Sequence, residues 1–198
     1  MDQYSSAFGT FIYLQSVPKI TIEKLNPNLG YFVLGDSSVP KDTIPILKRC
    51  RDMRLNIVRT LTKRDPNFDL HSQDQVDISF LSKDEQNIFK ATINNRDILS
   101  KALPELNKDN PDSSFIGKCL LEHHEILRDV LNVSTIKIDN MLDAALDAGA
   151  LGGKITGSGG GGCMFAYAPN NPEIVAEAIE KAGGRSFIIN SDNGTSVE

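Results

Sequence analysis

The sequence has few cysteines, no long hydrophobic run and no secretory signal. Its three cysteines, Cys50, Cys119 and Cys163, are an odd number at irregular spacing, which argues against a disulfide framework and favours a reducing compartment. No segment approaches the roughly 20 apolar residues of a membrane-spanning helix. The N-terminal residues have neither a basic part nor a long apolar part, as a signal peptide would require. These absences predict a cytoplasmic protein without a membrane partner.

The chain also lacks a dense cluster of positive charge. Its 21 basic and 26 acidic side chains give a formal net charge of −5, whereas a nucleic-acid-binding surface needs clustered Lys and Arg. The densest basic stretch, residues 48–54, follows a helical pattern and is interrupted by Cys50, Asp52 and Met53. We interpret it as a solvated helix face and expect no nucleic-acid partner.

The hydrophobic pattern predicts strands first and then helices, followed by a mixed C-terminal part. An apolar stripe at Ile138, Met141, Leu142 and Ala145 has helical spacing. The pattern as a whole favours an α+β fold in which helices pack on one small sheet. Strands are predicted at Thr10–Gln15, Lys19–Leu25, Tyr31–Ser37, Cys163–Pro169 and Ser186–Asn190. Helices are predicted from Asp42 or Thr43 to Val58, from Lys83 to Lys101 (mostly exposed), from Ser114 to Leu131, from Ser134 to Ala148 and from Pro172 to Ala182.

A glycine-rich stretch, KITGSGGGGCMF, runs from Lys154 to Phe165. It lies between a helix with an apolar stripe and a buried strand, so it differs from a flexible linker in polar sequence. Consecutive glycines let backbone N–H groups converge on an anion, and we favour this interpretation over a tight structural turn. The stretch lacks the Gly-Lys-Ser/Thr ending of a Walker A loop, and it does not open a Rossmann helix.

Three stretches of the chain resemble the GHMP kinases, a family that includes galactokinase, homoserine kinase, mevalonate kinase and phosphomevalonate kinase. KITGSGGGGCMFAY resembles the third signature motif of the family, a glycine-rich loop near the transferred phosphate. The segment Gly117–Lys154, with its Glu-His-His, Leu-Arg-Asp and Ala-Gly-Ala-Leu-Gly, resembles the galactokinase helix pair. MDQYSSAFG at Met1–Gly9 resembles the galactokinase segment that reads Met-Asp-Gln.

The resemblance implies a fold and a reaction. The expected fold is a GHMP kinase C-terminal domain, a ferredoxin-like α/β sandwich, at residues 36–198. A remnant of the N-terminal ribosomal-S5-like domain is expected at residues 1–35. The implied activity is that of a galactokinase-type phosphotransferase, in which ATP phosphorylates a sugar, galactose first, at its anomeric hydroxyl. The implied catalytic base is Asp2. The implied phosphate and substrate loop consists of Thr156, Gly157, Ser158, Gly159, Gly160 and Gly161.

Two family motifs have no counterpart in the sequence. They are Gly-Glu-His-Thr-Asp, which holds the sugar, and Pro-x-x-x-Gly-Leu-Ser-Ser-Ser, which holds the ATP phosphates and magnesium. The resemblance places both before Met1, so we expect this chain to be a C-terminal portion. Most ligands of ATP and Mg²⁺ are then expected in the missing N-terminal half. That half, or a second copy in a homo-oligomer, is the expected protein partner.

No metal site is predicted within the chain itself. His123 and His124 occupy adjacent helical positions about 100° apart, so they do not chelate one ion well. Packing or capping is the favoured role for this pair.

Departures within the match bear on the substrate. Ser158 followed by four glycines is closer to mevalonate kinase than to galactokinase, as is VPKDT at Val39–Thr43. Ile44 stands where galactokinases carry a tyrosine that lines the sugar pocket. Three alternatives therefore stay open: another GHMP small-molecule kinase, including a mevalonate-like one; a non-catalytic sensor; and an inert fragment.

Overall fold

The computed structural model describes residues 2–41, 43–73 and 75–196, without the side chain of Asp2. Two units of secondary structure come first, a short helix and a hairpin, and a larger α+β body follows. The helices are α1 (Asp2–Phe8), α2 (Thr43–Arg64), α3 (Lys83–Leu106), α4 (Ser113–Glu125) continued by a π-helical turn (Ile126–Val130), α5 (Ile136–Asp147) and α6 (Pro172–Lys181). The strands are β1 (Phe11–Gln15), β2 (Thr21–Leu25), β3 (Phe32–Asp36), β4 (Gly152–Ile155), β5 (Cys163–Tyr167) and β6 (Arg185–Ile189).

The main sheet has the strand order β4-β5-β3-β6, and every neighbouring pair is antiparallel. Apart from α2, α3 and α4, which lie between β3 and α5, the succession β3, α5, β4, β5, α6, β6 with this strand order is that of a ferredoxin-like sandwich, as expected. Strands β1 and β2 form a separate antiparallel hairpin with Phe11 opposite Leu25.

Opposite faces of the sheet contact different helices. Neighbouring residues of a strand point to opposite faces, so Val33 and Phe32 enter different cores. Val33 packs with Met164 of β5 and with α5 and α6. The predicted apolar stripe of α5 is buried, as expected. Phe32 stacks on Tyr167 with ring centroids 4.9 Å apart and lies in a cluster with Ile116 of α4.

Strand β4 was not predicted from the sequence. Its residues are Gly-Gly-Lys-Ile, and glycine weakens a strand because it adds no packing side chain. Tertiary contacts explain the strand: Gly152 lies so close to α4 that a Cβ there would stand 2.0 Å from the carbonyl oxygen of Gly117. Gly152 and Gly117 let α4 cross against the edge of the sheet, so β4 forms through tertiary contacts rather than by propensity.

Helix α3 is less exposed than predicted. Ser82 caps its N-terminus in a capping box with Glu85. Its residues Ile88 and Phe89 then form a second core with Ile57 and Leu61 of α2. The expectation of a mostly exposed helix was therefore wrong, because α2 supplies an apolar face that the sequence pattern alone does not reveal.

The predicted division at residues 35 and 36 runs through β3, which pairs with β5 on one side and β6 on the other. A boundary that keeps this sheet whole falls before Phe32. The division into two domains otherwise stays a prediction. In the part of the chain that the structure describes, no helix is long and apolar enough to cross a membrane.

Candidate functional site

The glycine-rich stretch is the connection of a β-hairpin, because it joins β4 to β5 rather than a helix to a strand. Thr156 closes the base of this hairpin. Both its backbone N–H and its Oγ1 hydroxyl donate to the carbonyl oxygen of Cys163, each at 2.9 Å. We call residues 156–162 the glycine loop.

Three backbone hydrogen bonds fix the far half of the glycine loop to its neighbours. The N–H of Gly160 donates to the carbonyl oxygen of Val133 at 2.7 Å, and that of Gly162 donates to Val39 at 2.8 Å. The carbonyl oxygen of Gly162 in turn accepts the Ser37 backbone N–H at 2.9 Å. The loop is therefore held between the segment after β3 and the segment before α5.

Glycine is required here by both conformation and space. Gly159 has a φ of +79°, and a Cβ there would stand 2.4 Å from the carbonyl oxygen of Val133. Gly161 has a φ of +130°, and its Cβ would stand 2.6 Å from the carbonyl oxygen of Val39. Both φ values lie where L side chains are strained, so the neighbouring backbones approach closely only because side chains are absent.

Four backbone N–H groups of the glycine loop remain without an acceptor among the described residues. They belong to Gly157, Ser158, Gly159 and Gly161. Gly157, at the tip, is exposed to solvent. The predicted phosphate loop thus divides into two parts: the N–H groups of these four residues have no acceptor among the described residues, whereas those of Thr156 and Gly160 are used within the fold.

Positive charge reaches the glycine loop from Lys41. The Cβ position of Gly162 would lie 1.9 Å from Cε of Lys41, and that of Gly157 would lie 3.4 Å from its Nζ atom. The Lys41 side chain therefore lies across the loop, and its ammonium group has no carboxylate partner among the described residues.

The first residue of α2 also touches the loop, where Ser158 Oγ lies 3.3 Å from Thr43 Oγ1. A helix N-terminus carries unsatisfied N–H groups and a partial positive charge. Asp42, one of the two predicted caps of this helix, lies outside the described residues.

The lysine before the loop has a different environment. Lys154 donates from Nζ to the carbonyl oxygen of Ile155 at 3.0 Å and lies 5.5 Å from the centroid of the Phe165 ring. Burial lowers its pKa. Burial, together with the nearby charge of Lys154, lowers the pKa of His123 to about 4. These groups belong to the packing between β4 and α4.

His124 is a buried part of a polar network and shows 2% exposure. Its Nε2 atom lies 3.3 Å from Asp139 Oδ1, and its Nδ1 atom accepts the N–H of Ile155 at 3.3 Å. Burial lowers its pKa, against the opposing effect of the Asp139 carboxylate. Among the described residues, no three His, Cys, Asp or Glu side chains group closely enough to hold a metal ion.

Asp2, the predicted base, is the first residue of α1. Its side chain lies outside the described residues, so its role stays a prediction. Sequence reasoning missed Lys41, Val39 and Val133 as neighbours of the loop. VPKDT was the one available signal for Lys41; the backbone carbonyls of Val39 and Val133 leave no signal in a sequence.

A sequence profile of the family described as GHMP kinases, C terminal, matches residues 101–185. This part of the chain is a GHMP kinase C-terminal domain. It runs from the end of α3 to the start of β6 and contains the whole glycine loop. The recognition of the GHMP kinase superfamily from the sequence is thereby confirmed.

Curated relatives match part of this chain. Mevalonate kinase from Thermococcus onnurineus is 49% identical over 84 residues, which are 42% of this chain and 25% of that protein. Galactokinase from Streptomyces coelicolor is 36% identical over 75 residues, which are 37% of this chain and 19% of that protein. The matched segments therefore cover a quarter or less of either relative.

The fold is shared more widely. The crystal structure of homoserine kinase from Cytophaga hutchinsonii superposes on 96% of this chain and 51% of its own, with a TM-score of 0.56 and 22% identity. At that identity the superposition shows a common fold and nothing more. The chain spans about half the length of that structure.

Proposed function

We propose that this chain forms part of an ATP-dependent kinase that transfers the γ-phosphoryl group to an alcohol of a small molecule. The observation that carries the proposal is the set of unpaired N–H groups at Gly157, Ser158 and Gly159 beside the Lys41 ammonium. Convergent N–H groups form an anion-binding concavity, and a lysine adds a compact positive charge. Membership in the GHMP kinases, which use ATP, supports the same reaction.

The residues of the glycine loop would act on charge and position. Phosphoryl transfer depends on orientation and on stabilisation of charge that develops on the phosphoryl oxygens. Donors held in place before the reaction stabilise that charge without reorganisation. The anchors at Val133, Val39 and Ser37 supply that rigidity. ATP phosphates therefore fit the described donors, whereas no described cluster of carboxylates fits Mg²⁺, and we assign no step to the metal.

Asp2 is the proposed base. An aspartate within hydrogen-bonding reach of the attacking hydroxyl orients it and accepts its proton. This role comes from the resemblance of Met1–Gly9 to the galactokinase segment.

The acceptor alcohol is either mevalonate or a sugar, and we place mevalonate first. The mevalonate kinase relative is 49% identical over 84 residues, and the galactokinase relative is 36% identical over 75 residues. Ser158 with four following glycines and the Val39–Thr43 stretch agree with this order. Phosphorylation of galactose at its anomeric hydroxyl is the second candidate, supported by the Met-Asp-Gln segment and by the helix pair. Release of ADP by the complete gene product, measured with each acceptor separately, decides between them.

Anion binding tests the site itself. Isothermal titration of the 198-residue chain with inorganic pyrophosphate and with ATP measures the affinity. Lys41→Met is expected to weaken pyrophosphate binding about tenfold or more, since a charged hydrogen bond contributes about 1.5–3 kcal/mol. The control Lys181→Met removes an exposed lysine on α6 that pairs with Glu177, and it is expected to have no effect.

A glycine pair provides a second control. Gly157→Ala strains a left-handed residue in the loop, at a φ of +67°, and Gly149→Ala strains one after α5, at a φ of +99°. Only the Gly157 variant is expected to weaken pyrophosphate binding. Equal affinity for pyrophosphate in all four variants and the wild type would show that the glycine loop does not bind phosphate.

A further inference from the structure

We propose that Asp139 is a positioning residue for the glycine loop, acting through His124 and Ser134, which fix the loop at two separate points. This inference rests on the proposed function for its catalytic meaning. Asp139 lies in the first turn of α5. Its Oδ1 atom accepts the Ser134 hydroxyl at 2.5 Å and lies 3.3 Å from Nε2 of His124. One carboxylate oxygen thus connects two residues that come from different elements.

The histidine arm leads to the start of the loop. Because the N–H of Ile155 donates to Nδ1 of His124, that nitrogen carries a lone pair and the ring proton is on Nε2, where it donates to Asp139. Strand β4 is at the edge of the sheet, and His124 satisfies an N–H group of this edge. Ile155 immediately precedes Thr156, so the arm holds the residue from which the loop departs.

The serine arm leads to the far half of the loop. Ser134 follows Val133, whose carbonyl oxygen accepts the N–H of Gly160. Val133 also occupies the space where a Cβ of Gly159 would lie. Holding Ser134 against Asp139 therefore holds the backbone on which Gly159 and Gly160 rest. The unpaired N–H groups of residues 157–159 lie between the two anchored points.

The serine, histidine and aspartate do not form a nucleophilic triad. In such a triad the histidine takes the proton of the serine, and the aspartate bonds the other ring nitrogen. Here Ser134 and His124 bond the same oxygen of Asp139, and the second ring nitrogen of His124 is occupied by Ile155. The arrangement matches the role of a positioning network.

Amide hydrogen exchange on the 198-residue chain tests the connection directly. Asp139→Ala removes the shared acceptor, and Asp143→Ala removes an exposed carboxylate one turn later on α5 as the matched control. We expect exchange at the amides of Ile155 and Gly160 to rise together, each about tenfold, in Asp139→Ala. The amide of Thr156 lies between them but donates to Cys163, so its exchange is expected to stay unchanged. A rise at Thr156 as well would indicate general unfolding of the variant.

A second pair of variants separates the arms and guards against a misfolded first variant. His124→Asn places an amide oxygen near the Nδ1 position and keeps an acceptor for Ile155. His124→Gln places an amide nitrogen near the Nε2 position and keeps a donor to Asp139. We expect the Ile155 amide to stay protected from exchange in His124→Asn, although the hydrogen bond to Asp139 is lost. In His124→Gln we expect the bond to Asp139 to be kept and exchange at the Ile155 amide to rise.

Pyrophosphate titration connects the network to the proposed function. Asp139→Ala is expected to weaken pyrophosphate binding about tenfold relative to Asp143→Ala, in step with the exchange at Gly160. Unchanged pyrophosphate affinity beside faster exchange reduces Asp139 to a structural role and overturns the proposal. Exchange that rises at only one of Ile155 and Gly160, or at neither, also overturns it. A wild-type chain that binds no pyrophosphate defeats the proposed function, while the exchange data still decide whether Asp139 connects the two anchors.

Discussion

The hydroxyl of Ser37 donates to the carbonyl oxygen of Gly162 at 2.6 Å, and the same hydroxyl oxygen accepts the N–H of Val39 at 3.2 Å. Ser37 is almost completely buried. It follows β3, whereas Gly162 precedes β5. One side chain therefore joins the ends of two central strands at the point where the glycine loop returns to the sheet.

Ser37→Ala is expected to lower the free energy of unfolding by about 1–3 kcal/mol, because the partly buried N–H of Val39 loses its acceptor. Urea denaturation measures the change. Ser100→Ala removes an exposed hydroxyl on α3 that bonds a backbone carbonyl, and it is expected to change stability by less than about 0.5 kcal/mol. Equal effects of the two substitutions would show that the Ser37 bonds add nothing.

Gly152→Ala is expected to destabilise the chain more than Gly149→Ala does. The new methyl group at residue 152 would meet the backbone of Gly117, which moves only with α4, and such overpacking costs about 1–3 kcal/mol or more. Gly149 has a positive φ but open space around its Cβ position, so its cost comes from backbone strain alone. The prediction fails if Gly152→Ala and Gly149→Ala have the same midpoint of thermal unfolding.

Protonation of His123 is expected to destabilise the fold at mildly acidic pH. Its pKa is about 4 in the folded chain and 6.5 ordinarily, so the unfolded chain binds more protons between these values. Stability therefore rises with pH across this window: it is complete above about pH 6.5 and is lost as pH falls toward 4. The expected loss is on the order of 1–3 kcal/mol.

Denaturation of His123→Gln at a series of pH values checks this prediction. The variant is expected to show a shallower dependence between pH 6.5 and 4. Part of the slope should persist, because burial also lowers the pKa of His124. The positive charges of Lys154 and Arg54 near His123 also lower its pKa. If stability of His123→Gln depends on pH as steeply as that of the wild type, a group other than His123 causes the dependence.

Asp2→Asn is expected to reduce turnover of the complete gene product by about 10²-fold or more, since asparagine keeps the shape but does not accept a proton. Affinity for ATP should stay near that of the wild type. Asp147→Asn, at an exposed position of α5, serves as the control. Retention of more than about a tenth of the wild-type kcat rejects the base role. Loss of acceptor binding instead identifies Asp2 as a substrate ligand.

The elements with strong hydrophobic periodicity were predictable from the sequence. Ile138, Met141, Leu142 and Ala145 are all buried, as the spacing of α5 indicated, because one face of that helix covers the sheet. The final strand and α6 were also found within a residue or two, since Pro172 and the glycines after the helix mark its ends.

The features that were not predicted from the sequence depend on contacts between residues far apart in the chain. Gly152 and Gly153 carry no strand signal, and their strand exists because β5 pairs with it and α4 packs against it. The loop was predicted to bind an anion, but the sequence did not show that the N–H groups of Gly160 and Gly162 donate to Val133 and Val39. Backbone carbonyls have no side-chain signature, so the division of donors had to come from the structure.

The central position of β3 has a consequence for how the chain is made. Phe32 pairs with Tyr167 and with Ile189, so well over half of the polypeptide separates β3 from its partners. Pairings of such long range are slow to form, because the intervening chain must first be brought together. During synthesis β3 emerges before its partner strands and has none of them until β5, at Cys163–Tyr167, has left the ribosome. Until then Val33, which is fully buried in the finished fold, depends on helices or on a chaperone for cover.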